Sequence, residues 1–501
     1  MNKSTKSLLL AALVALAPAA YAQAQLTDGV PETDPALITG STFNVDANNP
    51  VPTTFMGDTT GATISQVNVL DGGVLSSTNN NFDFTEININ SGGDTENSIN
   101  IQNAELNVLP GGSIGSLITV GTNSTLNVGS GVTDIGNNIT VAGTANINSG
   151  THSIAFESLQ GSTVNIGGTA DIDGSSNDFA GVVNISGDAQ ISGGTDFTTT
   201  SNATVSGGTF GSNIDFDGGA SFTGGTFGSN FNINSTATGV VFDDTDGGVT
   251  IASGAELFVP VTINGGNFTA SADFEVGSTG SVINGGTFGN NTDFLDGITI
   301  NDGTFGTNQD VGNAFDTSSS NVNPDVTVNG GTFLELDVDS GITTINGGTF
   351  IGGSAGTALA ANNNISQVTE GTINLSGGDV QGFVEALGTL NIFGTNFAID
   401  DVLISGESID VDEGSVLTGI LEDGNEISLE LNLAEFSVDA DGETTIFAAL
   451  NQGTDLFGGE RFGSTLTAGG TSINITAVPE PSSLSLLALG ALGLISRRRR
   501  S

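Results

Sequence analysis

The residues of this chain that could do chemistry are almost all carboxylates. The 501-residue sequence holds 55 Asp and Glu against 7 Lys and Arg, with one His, one Tyr and no Cys or Trp. Two carboxylates at about 5 to 9.5 Å can hydrolyse a glycosidic bond, one acting as acid and the other as base or nucleophile. The segment VFDDTDGG supplies Asp243, Asp244 and Asp246, and a second pair stands at Asp337 and Asp339.

The other groups that sugar chemistry uses are sparse. Polysaccharide lyases need a basic group, and Arg461 is the only basic residue between Lys6 and Arg497. His152, in SGTHSIAF, is expected on the surface of a strand rather than in a catalytic role. The body also lacks the aromatic platforms of sugar sites. We therefore expect no enzymatic function, with an acid-only glycoside hydrolase as the alternative.

One turn is a weak calcium candidate. In DADGE, the residues Asp439, Asp441 and Glu443 place oxygen ligands on a Gly-containing turn, which resembles part of a calcium loop. The full twelve-residue pattern and its closing bidentate Glu are missing, so a solvated acidic turn is the alternative. Apart from Ca²⁺ at this turn, we expect no cofactor.

The charge distribution excludes one class of partner. The formal net charge is −48, and the basic residues other than Arg461 stand at the two ends of the chain. Phosphate backbones are bound by clustered Lys and Arg, so the body is expected to repel nucleic acid. Such a body stays soluble and attracts cations instead.

The elements that must position these residues are short strands that recur at a fixed spacing. In the first half of the chain, a triplet of apolar, Asn and apolar residues, or a close variant, returns every 19 to 20 residues. The triplets end at Val69, Ile89, Val108, Val128, Ile147, Ile166, Ile185 and Val205. Alternation of apolar and polar residues indicates strands with one buried and one exposed side.

After Phe222 the repeat takes the form INGGTFG, and its anchors stand 17 to 28 residues apart. The anchors are Ile263, Ile283, Ile300, Val328, Ile345, Ile373 and Leu390. The 28-residue steps carry about 11 extra, mostly polar residues. We interpret the insert 307–325 as a projecting loop, and the insert that begins at Ala355 as a loop with one helical turn at 358–361.

Units of this length predict the fold class. A propeller blade needs about 40 residues, whereas 17 to 20 residues suit one coil of a parallel β-helix. The sequence therefore predicts an all-β protein: a single-stranded right-handed parallel β-helix, or solenoid, of about 17 coils between Val69 and Leu390. Equivalent side chains on successive coils should stack as internal columns of Val and Ile and of Phe, and as ladders of Asn, Thr and Asp.

The predicted organisation has a leader, a body and two flanking regions. Residues 1–24, with Lys3, Lys6, an apolar run and small residues before the cleavage site, have the three regions of a secretory signal peptide. Residues 25–60 are expected to form a linker or N-terminal cap, and residues 61–399 the β-helix. Residues 400–477 are expected to form an antiparallel C-terminal cap with a hairpin turn at Asp423 and Gly424.

The remaining segment, 478–501, has three parts in a fixed order. They are the triplet Pro479, Glu480 and Pro481, the apolar run from Leu484 to Ile495, and the cluster Arg497, Arg498, Arg499 and Arg500. The apolar run is shorter than the ~20 residues of an ordinary spanning helix. This order resembles the PEP-CTERM sorting signal of exported bacterial proteins. The resemblance implies recognition of the triplet by a membrane-embedded exosortase, transient membrane anchoring by the apolar run and retention by the Arg cluster.

The resemblance also implies a location and a role. Many proteins with this signal belong to bacteria with exopolysaccharide and biofilm systems. We expect a non-enzymatic structural protein of the cell surface or extracellular matrix of a Gram-negative-type bacterium, with its precursor anchored in the inner membrane. Its partners would be exosortase-type processing machinery and exopolysaccharide. The alternative is a carbohydrate-binding adhesin or a polysaccharide-degrading β-helix enzyme, with a groove beside the 28-residue coils.

Overall fold

The structure is a computed structural model. It describes residues 36–38, 42–45, 55–57, 65–75, 80–83, 85–95, 98–115, 117–136, 138–152, 155–174, 176–244, 248–312, 324–352, 357–361, 363–364, 369–386, 389–403, 415–431, 444–448 and 471–477. The chain divides into two compact units. Unit 1 comprises Met1–Asp244 and Gly248–Ala252, and unit 2 comprises Thr245–Gly247 and Ser253–Ser501. In the described ranges every helix or strand element is a strand.

The strands of unit 1 are β1 (Ala36–Ile38), β2 (Thr42–Val45), β3 (Phe55–Gly57), β4 (Ser65–Val69), β5 (Val74–Leu75), β6 (Asn80–Asp83), β7 (Thr85–Ile89), β8 (Asp94–Thr95), β9 (Ile99–Gln102), β10 (Glu105–Val108), β11 (Leu117–Val120), β12 (Thr125–Val128), β13 (Asn138–Val141), β14 (Thr144–His152), β15 (Ala155–Ser158), β16 (Thr163–Ile172), β17 (Asn177–Ile185), β18 (Gln190–Ile191), β19 (Thr195–Phe210), β20 (Ile214–Phe216), β21 (Gly219–Phe227), β22 (Phe231–Ile233), β23 (Val240–Phe242) and β24 (Val249–Ile251).

The strands of unit 2 are β25 (Ala255–Leu257), β26 (Val261–Ile263), β27 (Asn267–Ala270), β28 (Ala272–Phe274), β29 (Ser281–Ile283), β30 (Thr287–Asn290), β31 (Thr292–Phe294), β32 (Ile298–Ile300), β33 (Thr304–Phe305), β34 (Gln309–Val311), β35 (Asp325–Val328), β36 (Thr332–Phe333), β37 (Leu336–Val338), β38 (Ile342–Ile345), β39 (Thr349–Phe350), β40 (Thr357–Ala361), β41 (Asn363–Asn364), β42 (Thr369–Glu370), β43 (Thr372–Leu375), β44 (Asp379–Val380), β45 (Phe383–Ala386), β46 (Thr389–Ile399), β47 (Val402–Leu403), β48 (Ser415–Leu421), β49 (Glu426–Leu431), β50 (Thr444–Ala448) and β51 (Thr471–Ala477).

Unit 1 is a parallel β-solenoid in which each residue lies beside its equivalent on the next coil. Val128 pairs with Ile147, and Ile147 pairs with Ile166. Ile166 in turn pairs with Ile185, so the 19-residue period of the sequence is the length of one coil. The predicted parallel β-helix is confirmed, and the body makes about 15 turns rather than the 17 expected.

The strands lie on faces that we name by their outward residues. In unit 1, the Asn face holds β4, β7, β10, β12 and the first parts of β14 and β16, and the Gly-Thr face holds the last parts of β14 and β16 with β18 and β24. The acid face holds β15, the first part of β17, β20 and β22, and the last part of β17 lies on the Asn face. The long strands β19 and β21 bend around the corners: β19 contributes to all three faces and β21 to the Asn and Gly-Thr faces.

Unit 2 has the same arrangement with shorter strands. The acid face is formed by β25, β28, β31, β34 and β37, the Asn face by β26, β29, β32, β35 and β38, and the Gly-Thr face by β27, β30, β33, β36 and β39. Each coil passes once through each face. The three-residue strands place two side chains inside and one outside, since side chains alternate along a strand.

The interior of each unit is a set of columns of like side chains. In unit 2, Phe288, Phe305 and Phe333 stack with ring centroids 4.8 and 4.4 Å apart and nearly parallel planes. In unit 1, Phe197 and Phe216 stack at 4.2 Å. All five rings are buried. The stacking distances match the spacing of neighbouring strands of about 4.8 Å, so the coil rise itself sets the ring contacts.

Antiparallel strands follow the last coils, as predicted. Strand β46 pairs in parallel with β43 but antiparallel with β47 and β48, and β48 forms an antiparallel hairpin with β49. The hairpin turn holds Asp423 and Gly424, the latter with φ +91°. Strand β51 pairs in parallel with β46 and antiparallel with β50. These strands cover an edge that a parallel sheet would otherwise leave open.

Two local expectations are wrong. Within the insert 307–325, residues 309–311 form the strand β34 rather than a loop, because Gln309 and Val311 point inward and Asp310 points outward; residues 313–323 lie outside the described ranges, so a loop there stays a prediction. The expected helical turn at 358–361 is part of β40, in which Leu359 pairs with Leu336. Buried neighbours on adjacent coils determine the conformation of both segments, and this outweighs their local composition.

Candidate functional site

Asp244, one of the candidate catalytic acids, has a structural role. Its side chain is buried, with 4% of its surface exposed. Its Oδ1 accepts a hydrogen bond from the Gly248 backbone N–H at 2.7 Å, and its Oδ2 accepts one from the Val249 N–H at 2.6 Å. Both oxygens therefore bind the backbone at the start of β24. Asp243 is exposed, and Asp246 lies outside the described residues.

The second candidate pair leads to a larger feature, the carboxylate ladder of unit 2. Asp337 is the outward residue at the centre of β37 and lies beside Asp310 of β34, which lies beside Asp293 of β31. The equivalent positions on β28 and β25 are Asp273 and Glu256, which pair with each other. Five successive coils thus present a carboxylate at one register position. Asp339, 7% exposed, follows directly after β37.

Stacked carboxylates hold protons more tightly than isolated ones. Burial, together with the nearby Asp293, Asp337, Asp339 and Glu335, raises the pKa of Asp310 to about 8. Burial and the carboxylates of Asp293, Glu275 and Glu256 raise the pKa of Asp273 to about 7. The cause is general: burial and adjacent like charges both disfavour the ionised form.

Unit 1 carries a shorter ladder on its own acid face. Glu157 pairs with Asp178, Asp178 with Asp196, and Asp196 with Asp215. The next position is Asn232, whose Nδ2 donates a hydrogen bond to Asp215 Oδ1 at 2.7 Å and so ends the run of charge. Burial and three neighbouring Asp side chains raise the pKa of Asp196 to about 6.

His152 is buried, which contradicts its expected surface position. It ends β14 with no exposed surface, and its ring lies edge-on to Phe156 at 5.8 Å. Its Nδ1 lies 2.8 Å from the Gly136 carbonyl oxygen, which can only accept, so Nδ1 carries the proton. Nε2 is buried without a hydrogen-bond partner in the described part of the chain. Burial lowers the pKa of His152, so the ring is a neutral core residue.

A polar groove runs along the Gly-Thr face of unit 1. It encloses about 410 Å³, and residues of four successive coils line it. Its walls include Gln190, Thr209 and Thr226, all exposed, and none of the three side chains makes a hydrogen bond to another described residue. Gly208 and Gly225 also line the groove, with φ of +97° and +113°, which favours glycine at both positions. The lining includes Asp188 as well, so the groove offers neutral donors and acceptors in a row beside one carboxylate.

Other predicted site residues lie outside the described ranges. These are the calcium candidate Asp439, Asp441 and Glu443, the residue Arg461, and the sorting-signal residues Pro479, Glu480, Pro481, Arg497, Arg498, Arg499 and Arg500. Among the described residues, no group of three or more His, Cys, Asp or Glu side chains is arranged to hold a metal ion. The same residues include no helix long and apolar enough to cross a membrane.

Comparison with known proteins identifies the C-terminal segment. Residues 477–500 match the PEP-CTERM protein-sorting motif. Together with the body, this defines a class: an exported β-solenoid protein with a C-terminal membrane-anchoring signal of the kind sorted by exosortase. No curated protein and no solved structure matches the chain.

The sequence predicts ladders of Asn, Thr and Asp side chains, but it does not indicate which acidic residues form them. The groove on regular coils of unit 1 has no counterpart among the sequence predictions, and a groove beside the 28-residue coils stays a prediction. A signal for the unit 2 ladder was present, since an acidic residue stands between two inward residues in AEL, ADF, TDF, QDV and LDV. The unequal steps between these triplets hid their common register.

Proposed function

We propose that this protein is a non-enzymatic structural component of the cell surface or extracellular matrix, associated with exopolysaccharide. The observation that carries the proposal is the repetition of one side chain at one register position over many coils. Such a surface presents the same contact again and again, which suits a scaffold that binds a polymer by many weak contacts. The matched sorting motif supports delivery of the protein out of the cytoplasm.

The candidate catalytic residues support the non-enzymatic part. Asp244 uses both oxygens to bind the backbone at the start of β24, and His152 is a core residue. Asp337 stands in a row of equivalent acids rather than opposite a partner across a cleft. These positions fit structural roles.

The experiment is complementation of a strain that lacks the protein, followed by measurement of matrix cohesion. The double variant Asp243→Asn with Asp337→Asn should restore cohesion as well as the unaltered protein, because these acids do no chemistry. Failure of this folded, exported variant to restore cohesion would overturn the non-enzymatic reading. Failure of the unaltered protein to reach the surface or matrix would overturn the location.

The groove favours a second candidate, a carbohydrate-binding adhesin. A row of unpaired hydroxyl and amide groups can accept a neutral glycan, whereas the net charge of −48 disfavours uronate polymers. The purified protein should then retain neutral glycans without releasing reducing ends. Thr209→Val with Thr226→Val should lower retention, and the matched change Thr204→Val on the exposed Asn face should not. Equal glycan retention by the groove variant and the control variant would exclude the groove as the glycan-binding site.

A further inference from the structure

The unit 2 ladder places five carboxylates in one column, and the part of the chain that the structure describes holds no Lys or Arg. The column runs through Glu256, Asp273, Asp293, Asp310 and Asp337, and neighbouring strands of a sheet lie about 4.8 Å apart. At that distance two like charges repel each other appreciably, more so where water is partly excluded. Each strand is fixed by the inward residues on both sides of its acid, so the acids cannot move apart while the coils stay stacked.

The described surroundings of the ladder add further negative charge. Two acids of the ladder, Asp273 and Asp310, have raised pKa values. The charged groups that raise them are Glu256, Glu275, Asp293, Glu335, Asp337 and Asp339. The chain has no Lys or Arg between Lys6 and Arg461. Within the described residues, protonation is therefore the way in which this chain itself can relieve the repulsion.

We propose that the ladder makes unit 2 a pH-responsive segment, whose coils tighten in a mildly acidic medium and loosen in an alkaline one. The ladder acts as a single proton-binding column, because each acid has carboxylates as neighbours along the solenoid. This inference is independent of the proposed function, since it rests only on the register of the strands.

The sign of the effect follows from proton linkage. In the folded ladder, Asp273 and Asp310 bind protons more tightly than in the unfolded chain, in which Asp titrates near pH 3.9. The stabilisation is therefore complete below the unfolded pKa and is lost as the pH rises through the folded pKa values of about 7 and about 8. For each such group, the unfolding equilibrium constant rises by up to about tenfold per pH unit within this window.

The test is hydrogen exchange of the full chain, followed by mass spectrometry on the peptides that contain β31, β34 and β37. Protection factors are compared at pH 5.5 and pH 8.5 after normalisation for the intrinsic exchange rates, because they report local opening equilibria. EDTA in every sample removes divalent cations, which could otherwise neutralise the ladder.

The unaltered protein should lose protection in these strands at pH 8.5 by about tenfold or more. The variant Asp310→Asn, of the same shape but without charge, should keep most of its protection at pH 8.5. The matched control is Asp302→Asn, which removes one charge at an exposed turn of the same coil, where the Asn oxygen can still accept from the Gly303 N–H. It should behave within about twofold of the unaltered protein.

Two results would overturn the proposal. The first is equal protection of the unaltered protein at the two pH values. The second is an equal gain in protection at pH 8.5 in Asp302→Asn and in Asp310→Asn, because the effect would then come from the overall charge of the protein. A second ladder variant, Asp273→Asn, keeps the test decisive if Asp310→Asn does not fold. The proposal requires that Asp273→Asn also increases protection at pH 8.5 relative to the unaltered protein.

Discussion

The side-chain amide of Asn146 donates a hydrogen bond to Oδ1 of Asn127, its equivalent on the preceding coil, at 2.7 Å. Oδ1 of Asn146 in turn accepts from Asn165 Nδ2 at 2.6 Å. Such bonds join seven successive Asn residues of unit 1, namely Asn68, Asn88, Asn107, Asn127, Asn146, Asn165 and Asn184. The ladder thus links coils through their outward residues as the core does through its inward ones.

Breaking the Asn ladder should destabilise unit 1. Asn146→Ala removes two half-buried hydrogen bonds and leaves a donor on Asn165 and an acceptor on Asn127 unmatched. We expect a loss of about 1 to 3 kcal/mol in the free energy of unfolding. Urea denaturation measures it. Asn202→Ala, at an exposed position of β19, should change the free energy by less than about 0.5 kcal/mol. Equal losses in the two variants would contradict an energetic role for the ladder.

Removing one ring from the Phe column should weaken unit 2. Phe305 is buried between Phe288 and Phe333, so Phe305→Ala leaves a cavity that neither ring can fill without moving its coil. The expected loss is about 3 to 5 kcal/mol in the free energy of unfolding. Phe305→Leu, which retains most of the volume, should lose less. Thermal denaturation measures both variants. Equal melting temperatures of the Ala and Leu variants would contradict the role of the Phe column.

His152 should make unit 1 sensitive to acid. Its pKa is lowered by burial, so below the unfolded value of about 6.5 the unfolded chain takes up a proton that the folded chain does not. Stability from this residue is therefore present above pH 6.5 and falls as the pH is lowered. His152→Gln keeps a donor for the Gly136 carbonyl and removes the titration.

The readout for His152 is the difference between variant and unaltered protein, since Asp196 titrates in the same unit with the opposite sign. Hydrogen exchange in β14 and β16 reports the free energy of opening. Relative to the unaltered protein, this free energy should increase in the variant by up to about 1.4 kcal/mol for each pH unit below 6.5. A constant difference between pH 7.5 and pH 5.5 would refute the assignment.

Asp244 should be needed for the backbone at the start of β24 but not for any reaction. Asp244→Asn replaces one of its two acceptor oxygens with a donor group that would face a backbone N–H. The expected loss is about 1 to 3 kcal/mol in the free energy of unfolding. Asp243→Asn, at the exposed neighbour, provides the control and should be close to neutral. Chemical denaturation distinguishes the two; a neutral Asp244→Asn would show that this backbone holds without the carboxylate.

The sorting signal should control the fate of the exported chain. Changing Pro479, Glu480 and Pro481 together to Ala should block recognition, so that the unprocessed protein accumulates in the inner membrane fraction. Immunoblotting of cell fractions measures this. Changing Pro50 and Pro52 to Ala, far from the signal, should leave the distribution unchanged. Normal release of the triple variant would mean that residues 477–500 match the motif without acting through it.

The regular part of the fold was predictable because its physical cause repeats in the sequence. A four-residue strand such as TLNV shows the alternation of inward and outward residues directly, and the constant step of 19 or 20 residues fixes which strands pair. The columns through Val128 and Ile147, and the Asn ladder beside them, follow from that step alone.

The acid face was not predictable in the same way. Its strands in unit 2 have three residues, too few for alternation to be distinguished from chance, and steps of 17, 20, 17 and 27 residues separate its acids. The polar residues after Asp310 dominate the segment, so the sequence predicts a loop there. Only the stacking of Gln309 and Val311 on neighbouring coils reveals that Asp310 belongs to a column.

The coil from Asn301 to Asn329 is eleven residues longer than the one from Asn284 to Asn301, yet both close with the same amide bond, at 2.9 and 2.8 Å. The pitch of the stack is therefore independent of the length of chain between two equivalent Asn residues. Foreign peptides, epitope tags or whole modules could be inserted between successive coils, and new lineages could gain appendages by simple insertion while the inherited framework stays intact.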